Sequence, residues 1–107
     1  VEACARSLRA AGLRPKVMVD CSHGNSGKDP LRQPAVFAAC LRQARLPGSS
    51  LMGMMVESNL REGSQAIPKS KTPLARLAYG VSVTDACLGW EVTERMVLEA
   101  YGRGAKG

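Results

Sequence analysis

Aromatic rings are scarce in this chain. One Trp, two Tyr and one Phe make up 4% of its 107 residues, and histidine occurs once, at position 23. Its interior must therefore be aliphatic, built from Val, Leu, Met and Ala, and a hydrophobic content of 45% suffices for a globular core. No apolar run approaches the roughly 20 residues that a membrane-spanning helix requires. The opening VEACARSLRA is interrupted by polar residues and lacks the apolar stretch of a secretory leader. No CxxC pair occurs among Cys4, Cys21, Cys40 and Cys87, which argues against a zinc ribbon or a thioredoxin-type site. The cysteines read as reduced small hydrophobes of a cytoplasmic protein. Internal repeats and low-complexity segments are absent as well. The chain opens on Val1, without an initiator Met and in mid-pattern, so the expectation is that it begins inside a longer protein.

What is present is a basic balance, with fifteen Lys and Arg against nine Asp and Glu, a net charge of +6. Such a surface favours anionic partners in general. The charges are scattered, in no block of five or six, and no rings are interleaved to stack on bases. A small basic module binding nucleic acid or other anions remains an alternative, but no nucleic acid and no membrane is the expectation.

Residues 1–12 carry helical spacing, with Val1, Cys4, Leu8 and Ala11 on one face and Gly12 as the stop. Lys16 to Cys21 is a short β-branched strand, and Ser22 to Pro30 is turn chemistry. Helical spacing returns from Leu31 to Leu46, through Val36, Ala39, Cys40 and Ala44, with the start set near Arg32 or Gln33 by Pro34. Leu51 to Ser58 is almost continuously apolar, as in a parallel strand covered on both faces. Residues 59–79 form an irregular excursion with a short helical turn at Leu74 to Ala78. VSVTDACLGW then reads as a third strand and loop. A closing helix is expected over Glu91 to Tyr101, with Val92, Met96, Leu98 and Tyr101 inward, before a frayed tail from Arg103 to Gly107. Strands alternating with helices indicate an α/β fold with a parallel sheet.

His23, Glu57 and Asp85 sit at or just beyond the three strand ends. In parallel α/β folds ligands bind at that end of the sheet. One imidazole and two carboxylates could share a divalent cation such as Mn, Fe, Co or Zn. The same letters also suit a surface histidine, a loop acid and a turn-capping aspartate. A phosphate loop is excluded, because GNSGKD spaces its glycines too closely and puts Asp29 where the hydroxyl belongs. Ser22 lacks the elbow of a serine nucleophile. Cys21 shares a strand face with His23 but reads as core packing.

Three segments resemble, in order, signature segments of class I DAHP synthases, the 3-deoxy-D-arabino-heptulosonate 7-phosphate synthases. They are VMVDCSHGNSGKD, MMVESNLREGSQ and YGVSVTDACLGWE. The resemblance implies a (β/α)8 TIM barrel that condenses phosphoenolpyruvate with erythrose 4-phosphate, opening the shikimate pathway. It also implies a divalent metal on His23, Glu57 and Asp85, with His23 and Asp85 catalytic, and a homo-oligomeric full-length enzyme. The family's cysteine ligand lies on an early strand absent here, and its basic substrate clamps lie mostly upstream. PKSKTPLARLAYG is longer and more basic than the family's usual connection. A full barrel takes about 250 residues. Residues 1–107 are therefore expected to be a single partial domain, the C-terminal part of a barrel, with about three βα units and a preceding helix. Alone it is expected to be inactive, either as a fragment or as a non-functional remnant.

Overall fold

The computed structural model describes residues 1–69 and 76–104. Helix α1 spans Glu2–Ala10 and ends as the sequence predicts. Gly12 takes φ of +70°, and its N–H reaches the Arg9 carbonyl while the Leu13 N–H reaches that of Leu8. These two bonds close a Schellman motif and satisfy the last carbonyls of the helix. The inward residue is Ala5, with no exposure, whereas Cys4 is exposed. Of the expected stripe Leu8 alone is partly buried, and Arg9 beside it bonds Ser50.

Strands β1 (Val17–Asp20) and β2 (Leu51–Met55) pair in parallel, joined by helix α3 (Gln33–Ala44) in one βαβ unit. A one-turn helix, α2 (His23–Ser26), and a 3-10 turn over Pro30–Arg32 lead into α3. Pro34 sits in the first turn of α3, where its missing N–H costs nothing. The strand register shifts between Val17 and Met18. That irregularity lets Leu51 and Met54, three apart, both join the core with Cys21 and Cys40. Val19, Val36, Phe37, Ala44 and Val56 pack around them.

Cover on both faces of β2 is not what the structure shows. Met18 on β1 and Met52 on β2 are each more than 60% exposed, since α3 lines only one face of the two-stranded sheet. The radius of gyration is 17.3 Å, against about 13 Å for a closed domain of this length.

Three regular βα units are likewise not observed among the described residues. Val81 to Thr84 forms no strand, and residues 58–88 are tied by isolated bridges, Ser58 to Leu88, Gly63 to Cys87 and Ser64 to Ser82. The cause is local. The Ser82 hydroxyl accepts from the Thr84 N–H, so side-chain bonding takes a group a ladder would need. Leu74 and Ala75, in the expected short turn, lie outside the described residues.

The closing helix, α4, runs Trp90–Gly104, longer than expected and into the supposed tail. Thr93 and Met96 are buried, but Leu98 and Tyr101 are exposed. α4 meets α3 where Met96 and Ala100 face Phe37 and Leu41, and its first turns meet the excursion, where Thr93 bonds Ser58. No helix there is long and apolar enough to cross a membrane.

Candidate metal centre

Directly after β1 the chain reverses at Ser22 and His23. His23 adopts φ of +46°, a left-handed conformation that a non-glycine residue holds only when its surroundings enforce it. Its carbonyl accepts from the Lys28 N–H at 2.8 Å and from Ser26 Oγ at 3.3 Å. Asn25 Nδ2 bonds the Asp20 carbonyl at 2.7 Å. The turn residues read as loop chemistry in the sequence thus form a scaffold that turns one imidazole out of the strand direction. The reversal also separates His23 from Cys21, which stays in the core with no exposure. Burial, aided by neighbouring Cys40, pushes the Cys21 thiol up to about 11, away from the thiolate that a nucleophile requires.

Glu57 follows β2 by two residues and is fixed at both ends. Its N–H donates to Gln33 Oε1 at 2.8 Å, and its carbonyl accepts from Gln33 Nε2 at 3.2 Å and from the Leu88 N–H at 3.0 Å. Gln33 has no exposure at all, so its amide acts as an internal extension of the strand ladder. Ser22, also buried, donates from Oγ to Glu57 Oε2 at 2.7 Å, which leaves Oε1 directed at the histidine.

Asp85 comes from the bend before Cys87. His23 Nε2 lies 3.1 Å from Asp85 Oδ2 and 3.5 Å from Glu57 Oε1, and one ligand atom from each residue falls within 4.8 Å of the others. The three residues that the sequence singled out are therefore brought together. They line a cleft of about 50 Å³ with Ser22, Lys28 and Ala86. Ligand edges of about 3.0–3.4 Å are what bonds near 2.1 Å give in octahedral or tetrahedral coordination. The two edges from His23 Nε2 lie near that range, and a nitrogen with two carboxylate oxygens is a donor set that suits a divalent cation of borderline hardness.

Asp20, Ser22 and Gln33 were not found as site residues in the sequence. The only signal for Gln33 is a polar side chain at the head of an apolar helix face. For Asp20 it is a carboxylate three residues before a histidine. Asp20 Oδ2 lies 2.8 Å from His23 Nδ1, and its Oδ1 accepts from the Ser22 N–H at 2.8 Å. The hydrogen bond to His23, followed by that from Ser22, holds the Asp20 carboxyl below its ordinary range. The bond from Asp20, then that from Asp85 and the charges of Asp20 and Glu57, raise the imidazole above its own.

Comparison with known proteins gives this geometry a family. Residues 1–98 match the model of the DAHP synthetase I family. The chain is 48% identical over 101 residues to the Tyr-sensitive phospho-2-dehydro-3-deoxyheptonate aldolase of Escherichia coli, covering 94% of this chain and 28% of that protein. It is 47% identical over 110 residues to the phenylalanine-inhibited aldolase of Saccharomyces cerevisiae, covering 29% of that protein. The solved phospho-2-dehydro-3-deoxyheptonate aldolase of Francisella tularensis superposes with a TM-score of 0.80 at 41% identity, over 94% of this chain and 28% of that one. The chain thus spans under a third of the length of these relatives, and it belongs to the DAHP synthetase I family.

Proposed function

We propose that this chain is the metal-bearing C-terminal segment of a DAHP synthase barrel. The full-length enzyme would join phosphoenolpyruvate to erythrose 4-phosphate, giving DAHP and phosphate for aromatic amino acid biosynthesis. The observation that carries this reading is the convergence of His23 and Glu57, just beyond two parallel strands, with Asp85 from the bend before Cys87. Similarity to synthases along 94% of the chain favours it over a basic binding module.

His23 Nε2, Glu57 Oε1 and an Asp85 carboxylate oxygen would hold the ion. The chemistry it would supply is Lewis-acid polarisation of the tetrose aldehyde toward attack by phosphoenolpyruvate. Ser22 and Gln33 keep Glu57 in place. Asp85, with two thirds of its side chain exposed, is the ligand an arriving aldehyde meets first, and it would orient that group. Lys28, on the same cleft, would offset negative charge brought by a phosphorylated substrate. The exposed methionine face of β1 and β2 is what the remaining strands of a barrel would cover, so the chain alone would lack turnover.

The test is titration of the 107-residue chain with manganese, followed by electron paramagnetic resonance of the free ion. One ion per chain is expected. His23→Ala or Glu57→Ala should weaken binding by more than about 100-fold, beyond the loss typical of outer partners. Undiminished binding in both variants would sink the assignment. Turnover of the two substrates by the chain alone with manganese would overturn its inactivity.

A further inference from the structure

We infer that Asp20 is the positioning residue of this centre, holding His23 as the tautomer that carries its proton on Nδ1 and presents Nε2 to Glu57 and Asp85. The inference rests on the metal reading above, but its core can be observed without metal.

The argument is one of donors and acceptors. The Asp20 carboxylate can only accept. Its Oδ1 is occupied by the Ser22 N–H at 2.8 Å, and its Oδ2 stands 2.8 Å from His23 Nδ1. Both ring nitrogens face carboxylate oxygens, and a neutral ring has one proton to give. The shorter contact, 2.8 Å to Asp20 against 3.1 Å to the more exposed Asp85, keeps that proton on Nδ1 and leaves the lone pair on Nε2. That is the atom 3.1 Å from Asp85 Oδ2 and 3.5 Å from Glu57 Oε1. The backbone reinforces the choice. The left-handed turn at His23 and the Asn25 bond to the Asp20 carbonyl fix both partners within one short loop. The other charged groups near the ring, Glu57, Asp85 and Lys28, all border the Nε2 side or the cleft. Metal-bound histidines are commonly oriented through their second nitrogen in this way, and the partner is worth 10- to 100-fold in affinity, on the order of a ligand's fine placement.

Asparagine at this position should not merely weaken the arrangement but invert it. With the Ser22 N–H claiming the amide oxygen, the amide NH₂ would face Nδ1 and donate to it. The ring proton would then move to Nε2, where it blocks coordination.

The chain has a single histidine, so ¹⁵N labelling of histidine gives one imidazole to read. Spectra are taken at alkaline pH, where the ring is neutral, with and without zinc as a diamagnetic probe. The metal-free chain should show the Nδ1–H tautomer, and both Asp20→Asn and Asp20→Ala the Nε2–H tautomer, with the proton facing Asp85. The Cys21 amide, bonded to the Met55 carbonyl, reports in each spectrum that the strands remain paired. With zinc, the wild-type ring should keep its Nδ1 proton while Nε2 shifts on coordination, and Asp20→Asn should bind about 10- to 100-fold more weakly. The same tautomer in wild type and Asp20→Asn would overturn the proposal, whatever the metal does. Absence of zinc binding by a wild type that shows the expected tautomers would instead bring down the metal reading while supporting the role of Asp20.

Discussion

His23 and Glu57 leave two hydrogen-bonded parallel strands, and the side chains that steady them, Ser22 and Gln33, are buried. Asp85 leaves a bend that single bridges attach to the excursion, and its own side chain is mostly exposed. One wall of the cleft is preorganised by the core, while the other hangs on a few backbone bonds through Gly63, Gly80 and Leu88. Stability in a protein is not uniform, and regions with few buried contacts open at low cost. The arrangement therefore pairs an imidazole and a carboxylate held by the core with a second carboxylate that is freer to adjust.

The largest effect on this contrast should come from Gln33→Leu. The leucine fills similar space but cannot meet the Glu57 N–H, which would be left without a partner; the Glu57 carbonyl keeps the Leu88 N–H. An unpaired buried donor costs about 1–3 kcal/mol. Chemical denaturation should show a loss of about 2 kcal/mol, together with weaker manganese binding. A loss under about 0.5 kcal/mol would mean that water replaces the amide and that the strand wall is less rigid than its hydrogen bonds indicate.

That residue also marks where the sequence stops being legible. β1, α3, β2 and the ends that deliver His23 and Glu57 could be read because each is a short run whose periodicity is local. Gln33 and Asp20 could not, since their partners are fixed by the fold. Gln33 reaches Glu57 across 24 positions, and Asp20 reaches the ring only because the chain reverses at His23. The third strand was misread for the opposite reason: VSVT has β-type residues, but Ser82 and Thr84 bond each other locally. In α4, Leu98 and Tyr101 carry the letters of a core without a surface to bury them here. Asp85 nonetheless lies beside His23 and Glu57, since its position beyond the third apolar run survives the loss of strand geometry.

Gly80→Ala should disturb only the looser wall, and by less. Gly80 has φ of +74°, and an added Cβ would stand 2.7 Å from Leu60 Cβ. Strain of that kind costs about 1–3 kcal/mol, and a segment held by isolated bridges can shed part of it by shifting. Hydrogen exchange should accelerate at the Arg61 and Gln65 amides, which donate to Gly80 and Ser82. The Val19 and Cys21 amides should keep their wild-type rates. Equal acceleration in both sets would mean that the two walls unfold as one unit and that the contrast drawn between them is wrong.

At neutral pH the smallest effect concerns the core behind the rigid wall. Cys4 is exposed, whereas Cys21 and Cys40 are buried against each other and Leu51. At about pH 8, brief alkylation of the native chain should label Cys4 first and leave Cys21 almost untouched. The buried Cys21 thiol is pushed up to about 11, while in the unfolded chain it ionises near 8.5, roughly the ordinary value. The folded state thus holds this proton more tightly than the unfolded state does. Its contribution to stability is complete below about pH 8.5 and is lost as pH rises through the folded value. Denaturation midpoints should fall between about pH 8.5 and 11, and Cys21→Ser, whose hydroxyl does not titrate in that range, should flatten the slope. If Cys21 is alkylated as fast as Cys4 in the native chain, the strand wall opens as readily as the loop wall.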